Sequence, residues 1–139
     1  MIFKRILVPV DFTEKNQGAI VAARHFAVAA EGEVVLIHVI EELDLPFEEL
    51  EDFYASLEDS AQTRIQVLAD ELRDAGITVE TAVAFGKRVS EIVSFVSANA
   101  IDLVILTSHR LDPSNLPRNI MTISHQVAIA AQASVLLLR

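Results

Sequence analysis

Residues 3–9 read FKRILVP, with Ile6, Leu7 and Val8 in unbroken succession. A strand with one wet face alternates polar and apolar residues, whereas a continuous apolar run suits a parallel strand covered on both faces. The same reading holds for Glu33–Val39 (EVVLIHV), Asp102–Thr107 (DLVILT) and Ser134–Arg139 (SVLLLR). A fifth run, Ile77–Ala84 (ITVETAVA), is interrupted by Thr78, Glu80 and Thr81, which suits an edge strand.

Working outward, amphipathic stretches separate the runs. Lys15–Ala30 places Ala19, Ala22, Ala23, Phe26 and Ala30 on one helical face, and Gly32 fits its C-terminal cap. Phe47–Ala75 repeats apolar residues mostly at intervals of three and four, and Gly76 closes it. Val89–Asn99 predicts a third helix with Ile92, Val93, Phe95 and Val96 buried, and Asn119–Ala131 a fourth; Pro113 and Pro117 confine the segment before it to a loop. Strand and helix alternate four times before a final strand. That order predicts an α/β fold, a mainly parallel sheet with helices on both faces. With no internal repeat, low-complexity tract or linker, one domain is expected over residues 1–139.

Composition narrows the function classes. The chain is 52% hydrophobic and 22% charged, which excludes a disordered chain. It has no Cys, hence no disulfide, thiolate metal site or Cys nucleophile. Its apolar runs fall far short of a membrane helix, and Met1–Pro9 lacks the features of a signal peptide, so a cytoplasmic protein is expected. The net charge of −9 is concentrated in residues 41–59, which hold nine acidic residues and no basic one. That balance argues against nucleic-acid or anionic-membrane partners. The acidic segment reads as a solvated helix face or, more sharply, as a surface that docks a basic protein.

In open parallel sheets ligands bind beyond the carboxyl ends of the strands, where strand order reverses. The loops at Val10–Glu14, Ile40–Pro46, Phe85–Arg88 and Ser108–Arg118 are therefore the candidates. Asp11 directly follows the first strand and reads either as a cap or turn residue of the first helix, with Thr13 as the competing cap, or as a polar contact to a ligand. Gly86 reads as a turn of positive φ or as a point of close backbone approach to a ligand. Lys87, Arg88, Arg110 and Arg118 fall near one end of the sheet, where they are either solvated charges or the holders of an anion.

These motifs resemble the universal stress protein family. The resemblance rests on the opening ILVPVD at Ile6–Asp11, the His38–Val39 pair, Gly86 followed by Ile92, the pattern at Asp102–Ile105, and the final Val135–Leu138. It covers essentially the whole chain. It implies a five-stranded parallel sheet of order 3-2-1-4-5, as in adenine nucleotide alpha hydrolase-like folds, and a homodimer paired through the last strand, Val135–Leu138. An apolar edge strand needs such a cover.

Many members bind ATP or AMP through a loop after the fourth strand, patterned Gly, two residues, Gly, nine residues, then Gly and Ser or Thr. Backbone N–H groups there cradle the phosphates. The glycines of this chain stand at 18, 32, 76 and 86, so the loop holds none. Thr107 and Arg110 occupy the first two glycine places. The third falls at Ile120 or, with one inserted residue, at Met121–Thr122. By resemblance the ligand-binding residues are Pro9, Val10, Asp11, Thr13, Val39, Gly86, Thr107, Arg110 and Thr122. Asp11 and the Val39 backbone would hold an adenosine-like group, with Arg110 or Arg118 replacing backbone donors.

No P-loop and no G-x-S-x-G elbow occurs. His25 and His38 read as packing residues, and His109 and His125 make a weak metal pair without a carboxylate or Cys. A phospho-receiver reading fails because its acceptor Asp and its Lys would fall on Val83–Ala84 and Leu138–Arg139. The sequence thus reads as a stress-linked regulatory binding protein, without catalytic or metal residues and not a conventional ATP binder. Two alternatives stand beside it: an ATP- or AMP-binding member with a rewired phosphate loop, and a docking module using the acidic segment 41–59.

Overall fold

A computed structural model describes residues 2–43, 48, 50–108, 114 and 122–139. The central strand is β1 (Arg5–Pro9), and its alternation sorts the core. Ile6 and Val8 point to one face, where α1 (Asn16–Ala30) and α2 (Glu51–Asp74) pack, while Leu7 points to the other. All three are fully buried, as a strand covered on both faces requires. β2 (Glu33–Glu41), β3 (Thr78–Gly86), β4 (Leu103–Thr107) and β5 (Ser134–Leu138) complete a parallel sheet of order β3-β2-β1-β4-β5. The second face is covered by α3 (Arg88–Ala98) and α4 (Ile123–Ala130). Fold class, strand order and the edge position of β3 agree with the sequence reading.

Several local expectations are corrected. β2 runs two residues past Val39, and β3 runs on to Gly86, because the two strands stay in register out to Glu41 and Gly86. Ile40 and Phe85 are therefore strand residues, not loop residues. The buried stripe of α1 is Asn16, Ala19, Ile20, Ala23 and Ala27; Phe26 lies at the margin, edge-on to Phe3. Of the apolar residues that recur along α2, Tyr54 is buried, while Phe53 and Leu57 are exposed. On α3 only Ile92 and Val96 are fully buried, while Val93 and Phe95 are partly covered. The expected helix starts at Phe47 and Asn119 lie outside the described residues.

Gly32 is not the left-handed residue after α1. Glu31 is, at φ +51°, and Gly32 is needed for another reason. A Cβ there would sit 2.6 Å from the Lys4 carbonyl oxygen. Gly76 closes α2 as expected, at φ +85°.

The amino-terminal end of the sheet is closed by polar bonds. Arg5 donates through Nη1 to Glu33 (2.5 Å), through both Nη atoms to the Glu80 carboxylate (3.0 Å each), and through Nε to the Asn99 carbonyl (2.7 Å). The Asp102 carboxylate accepts from the backbone N–H groups of Lys4 and Arg5.

Candidate functional site

From β1 the chain turns to β2 on one side, and β4 later pairs with β1 on the other. This reversal opens a crevice at the carboxyl ends of the strands. The crevice is a cleft of about 380 Å³, within the range of small-ligand sites. Its floor is apolar, with Ile37, Val39 and Leu106, and its wall on the α3 side carries Ile92.

Asp11 stands at the rim, held by local bonds. Its Oδ1 accepts from the Thr13 backbone N–H (3.0 Å) and the Thr13 hydroxyl (2.7 Å). Its own N–H donates to the buried Asn16 side-chain oxygen (2.9 Å). The turn passes through Phe12 at φ +65°, a strained conformation for a bulky residue. The Phe12 ring packs against the His38 ring, 4.4 Å away, and the Arg64 guanidinium lies over it at 4.5 Å. His38 Nδ1 lies 2.8 Å from the Val10 carbonyl oxygen, so the same histidine anchors both sides of the turn. The Thr107 hydroxyl donates to the Lys15 carbonyl (2.7 Å), tying the end of β4 to the start of α1.

Burial pushes the Asp11 carboxyl up, but the Thr13 hydroxyl and N–H bonds and the nearby Arg88 charge outweigh it and hold it below the usual carboxylate range. Asp11 is thus an anion at neutral pH, an acceptor for hydroxyl or N–H donors. Two cations, Lys15 and Arg88, line the same cleft. Opposite lie Thr122, Ile123 and Ser124, the cap and first turn of α4, where backbone N–H groups have no intrahelical partner. The Thr122 hydroxyl is engaged with His125 Nδ1 at 2.6 Å, not with the helix backbone.

Of the residues singled out from sequence, Pro9, Val10, Asp11, Val39, Thr107 and Thr122 line this cleft together. Thr13 does not line it; its part is to hold Asp11. Gly86 is also absent from the lining. Its φ of +144° and missing Cβ let the chain pass Glu91, whose Oε1 would otherwise lie 2.6 Å from a side chain. Arg110, like Arg118, His109, Pro113 and Pro117, lies outside the described residues. Sequence reasoning missed Asn16, Lys15 and Ser124 as cleft residues, since each reads as an ordinary helix-start residue. Among the described residues no group of His, Asp and Glu could hold a metal ion, and no helix is long and apolar enough to cross a membrane.

Residues 2–139 match the family model described as the universal stress protein family. The chain belongs to that family. Universal stress protein MJ0577 of Methanocaldococcus jannaschii is 28% identical over 127 residues, covering 78% of each chain. The solved structure of MJ0577 superposes with a TM-score of 0.84 at 27% identity, over 99% of this chain and 96% of that one. Two more distant members share the fold. A universal stress protein in complex with cAMP has a TM-score of 0.72 at 17% identity, over 100% of this chain and 98% of that one. The universal stress protein of Archaeoglobus fulgidus in complex with dAMP has a TM-score of 0.69 at 15% identity, over 100% of each chain. The segment of this chain after β4 holds no glycine.

Proposed function

We propose that this universal stress protein is a regulatory binding protein whose carboxyl-end cleft takes an adenine nucleotide of monophosphate size, and that it is not an enzyme. The observation that carries the reading is Asp11, held as an anion by the Thr13 bonds and the Arg88 charge, with its backbone N–H fixed by Asn16, beside the apolar floor at Val39 and across from the first turn of α4. A carboxylate in this place suits ribose hydroxyls, the apolar floor suits a planar base, and the N–H groups of a first helical turn, which have no intrahelical acceptor, suit a phosphate. The family's complexes with cAMP and dAMP support a ligand of that class.

The segment after β4 has no glycine, and a chain without glycine offers a polyphosphate less close backbone approach, which favours a small nucleotide over ATP. The domain spans residues 1–139, and it pairs through β5, an edge strand whose Val135–Leu138 are all partly exposed. Calorimetric titration with AMP, cAMP and ATP, with and without magnesium, tests the reading. Saturable AMP or cAMP binding tighter than that of ATP supports it. Absence of binding by all three refutes it, and preference for ATP refutes the monophosphate assignment. Light scattering at two protein concentrations reads the dimer.

A further inference from the structure

The cleft poses a charge problem. Asp11 at its rim is ionised, and Glu41, at the end of β2, lies close to Arg88 of the cleft lining, in a chain of net charge −9. Such surroundings repel an anionic ligand unless a cation of the cleft counters them. Arg88, the first residue of α3, stands where it faces both carboxylates. It lines the cleft, its charge is felt at Asp11, and its Nε lies 3.8 Å from Glu41 Oε1. That separation is an ion pair too long for a hydrogen bond. Both side chains are well exposed, 39% and 54%, so the pair is weakly held. Arg5 at the other end of the sheet shows the contrast, since its guanidinium makes four hydrogen bonds of 2.5–3.0 Å.

Resting on the nucleotide reading above, we infer that Arg88 is the residue that makes the cleft selective for the phosphate-bearing form of its ligand, with Glu41 as the internal anion that the phosphate displaces. The guanidinium fork matches a phosphate bidentately, and the exchange costs little because the resting pair has no hydrogen bond to lose. A phosphate cradle made of backbone would need no such side chain, and the segment after β4 has no glycine.

Titration of the full chain with adenosine and with AMP, in wild type, Arg88→Ala, Arg88→Lys and Glu41→Gln, separates the outcomes. The readout is the ratio of AMP to adenosine affinity. Arg88→Ala lowers the ratio about tenfold or more, as loss of a charge-assisted bond pair implies. Arg88→Lys, which keeps charge without the fork, lowers it less. Glu41→Gln raises it by about two- to threefold, as expected for removing a weak competing pair. If Arg88→Ala weakens adenosine and AMP equally, or neither, Arg88 has no phosphate role and the inference falls while the nucleotide reading stands. If wild type binds neither compound, both fall together.

Discussion

The two ends of the sheet use charge in opposite ways. At the amino-terminal end, Arg5 binds Glu33, Glu80 and the Asn99 carbonyl, and Asp102 caps the N–H groups of Lys4 and Arg5. These groups satisfy one another across β1, β2, β3 and the entry to β4. At the carboxyl end, Asp11 is held by its own turn, Arg88 and Glu41 are 3.8 Å apart, and an open cleft lies beside them. Closed charge networks hold strands in register, and loosely paired charges leave capacity for a ligand. On the proposed reading, the difference gives stability to one end and recognition to the other.

The largest break in that comparison comes from the closed end. Gly32→Val drives a side chain into the Lys4 carbonyl, which is backbone and cannot step aside. Urea denaturation should show a loss of about 3 kcal/mol, the upper range for overpacking. Next, Arg5→Met removes the network, costing about 1–2 kcal/mol at pH 7 once its partial exposure is allowed for. That loss depends on pH. The Arg5 hydrogen bond, above the opposing effect of burial, holds the Glu80 carboxyl below its usual range, and Glu80 in turn raises Arg5. A lowered folded pKa stabilises above the unfolded glutamate value of about 4.3 and is lost as pH falls through the folded one. The gap between wild type and Arg5→Met should therefore be full at pH 7 and shrink below about pH 4. A gap that is constant with pH would remove Glu80 from the account.

At the open end the effects move from stability to binding. Asp11→Ala should weaken AMP at least about tenfold, about 1.4 kcal/mol, in calorimetric titration. Its thermal midpoint should change less than that of Gly32→Val, because Asp11 is exposed. The smallest effect is a gain. Glu31 occupies a left-handed position better suited to glycine, so Glu31→Gly should stabilise by about 0.5–1 kcal/mol in the same denaturation assay.

Much of the fold was legible because burial on both faces leaves a plain signature. Ile6–Val8, Val34–Ile37 and Leu103–Leu106 could hardly be anything but inner strands, and Thr78, Glu80 and Thr81 marked the edge. The misses share a cause: tertiary pairing overrides local residue preference. Glu41 and Gly86 discourage a strand individually but pair with each other. Gly32 looked like a helix cap, yet what constrains it is Lys4, distant in sequence.

The site divides similarly. Asp11 was legible from its place after β1, and Val39, Thr107 and Thr122 from the family resemblance. Asn16 was not, because an asparagine at a helix start reads as a local residue, and its bond to the Asp11 N–H requires the turn through Phe12. Arg88 was visible only as one of several basic residues. Its distinction is geometric, in the loose approach to Glu41 and the facing Asp11.

The most direct test compares the two ends in one experiment, an amide-resolved NMR titration of the full chain with AMP. The account predicts saturable shifts at Asp11, Asn16, Val39, Arg88, Thr107 and Ser124, with Arg5, Glu33, Glu80 and Asp102 unmoved. Shifts centred on the Arg5 end, or none at saturating AMP, would contradict it.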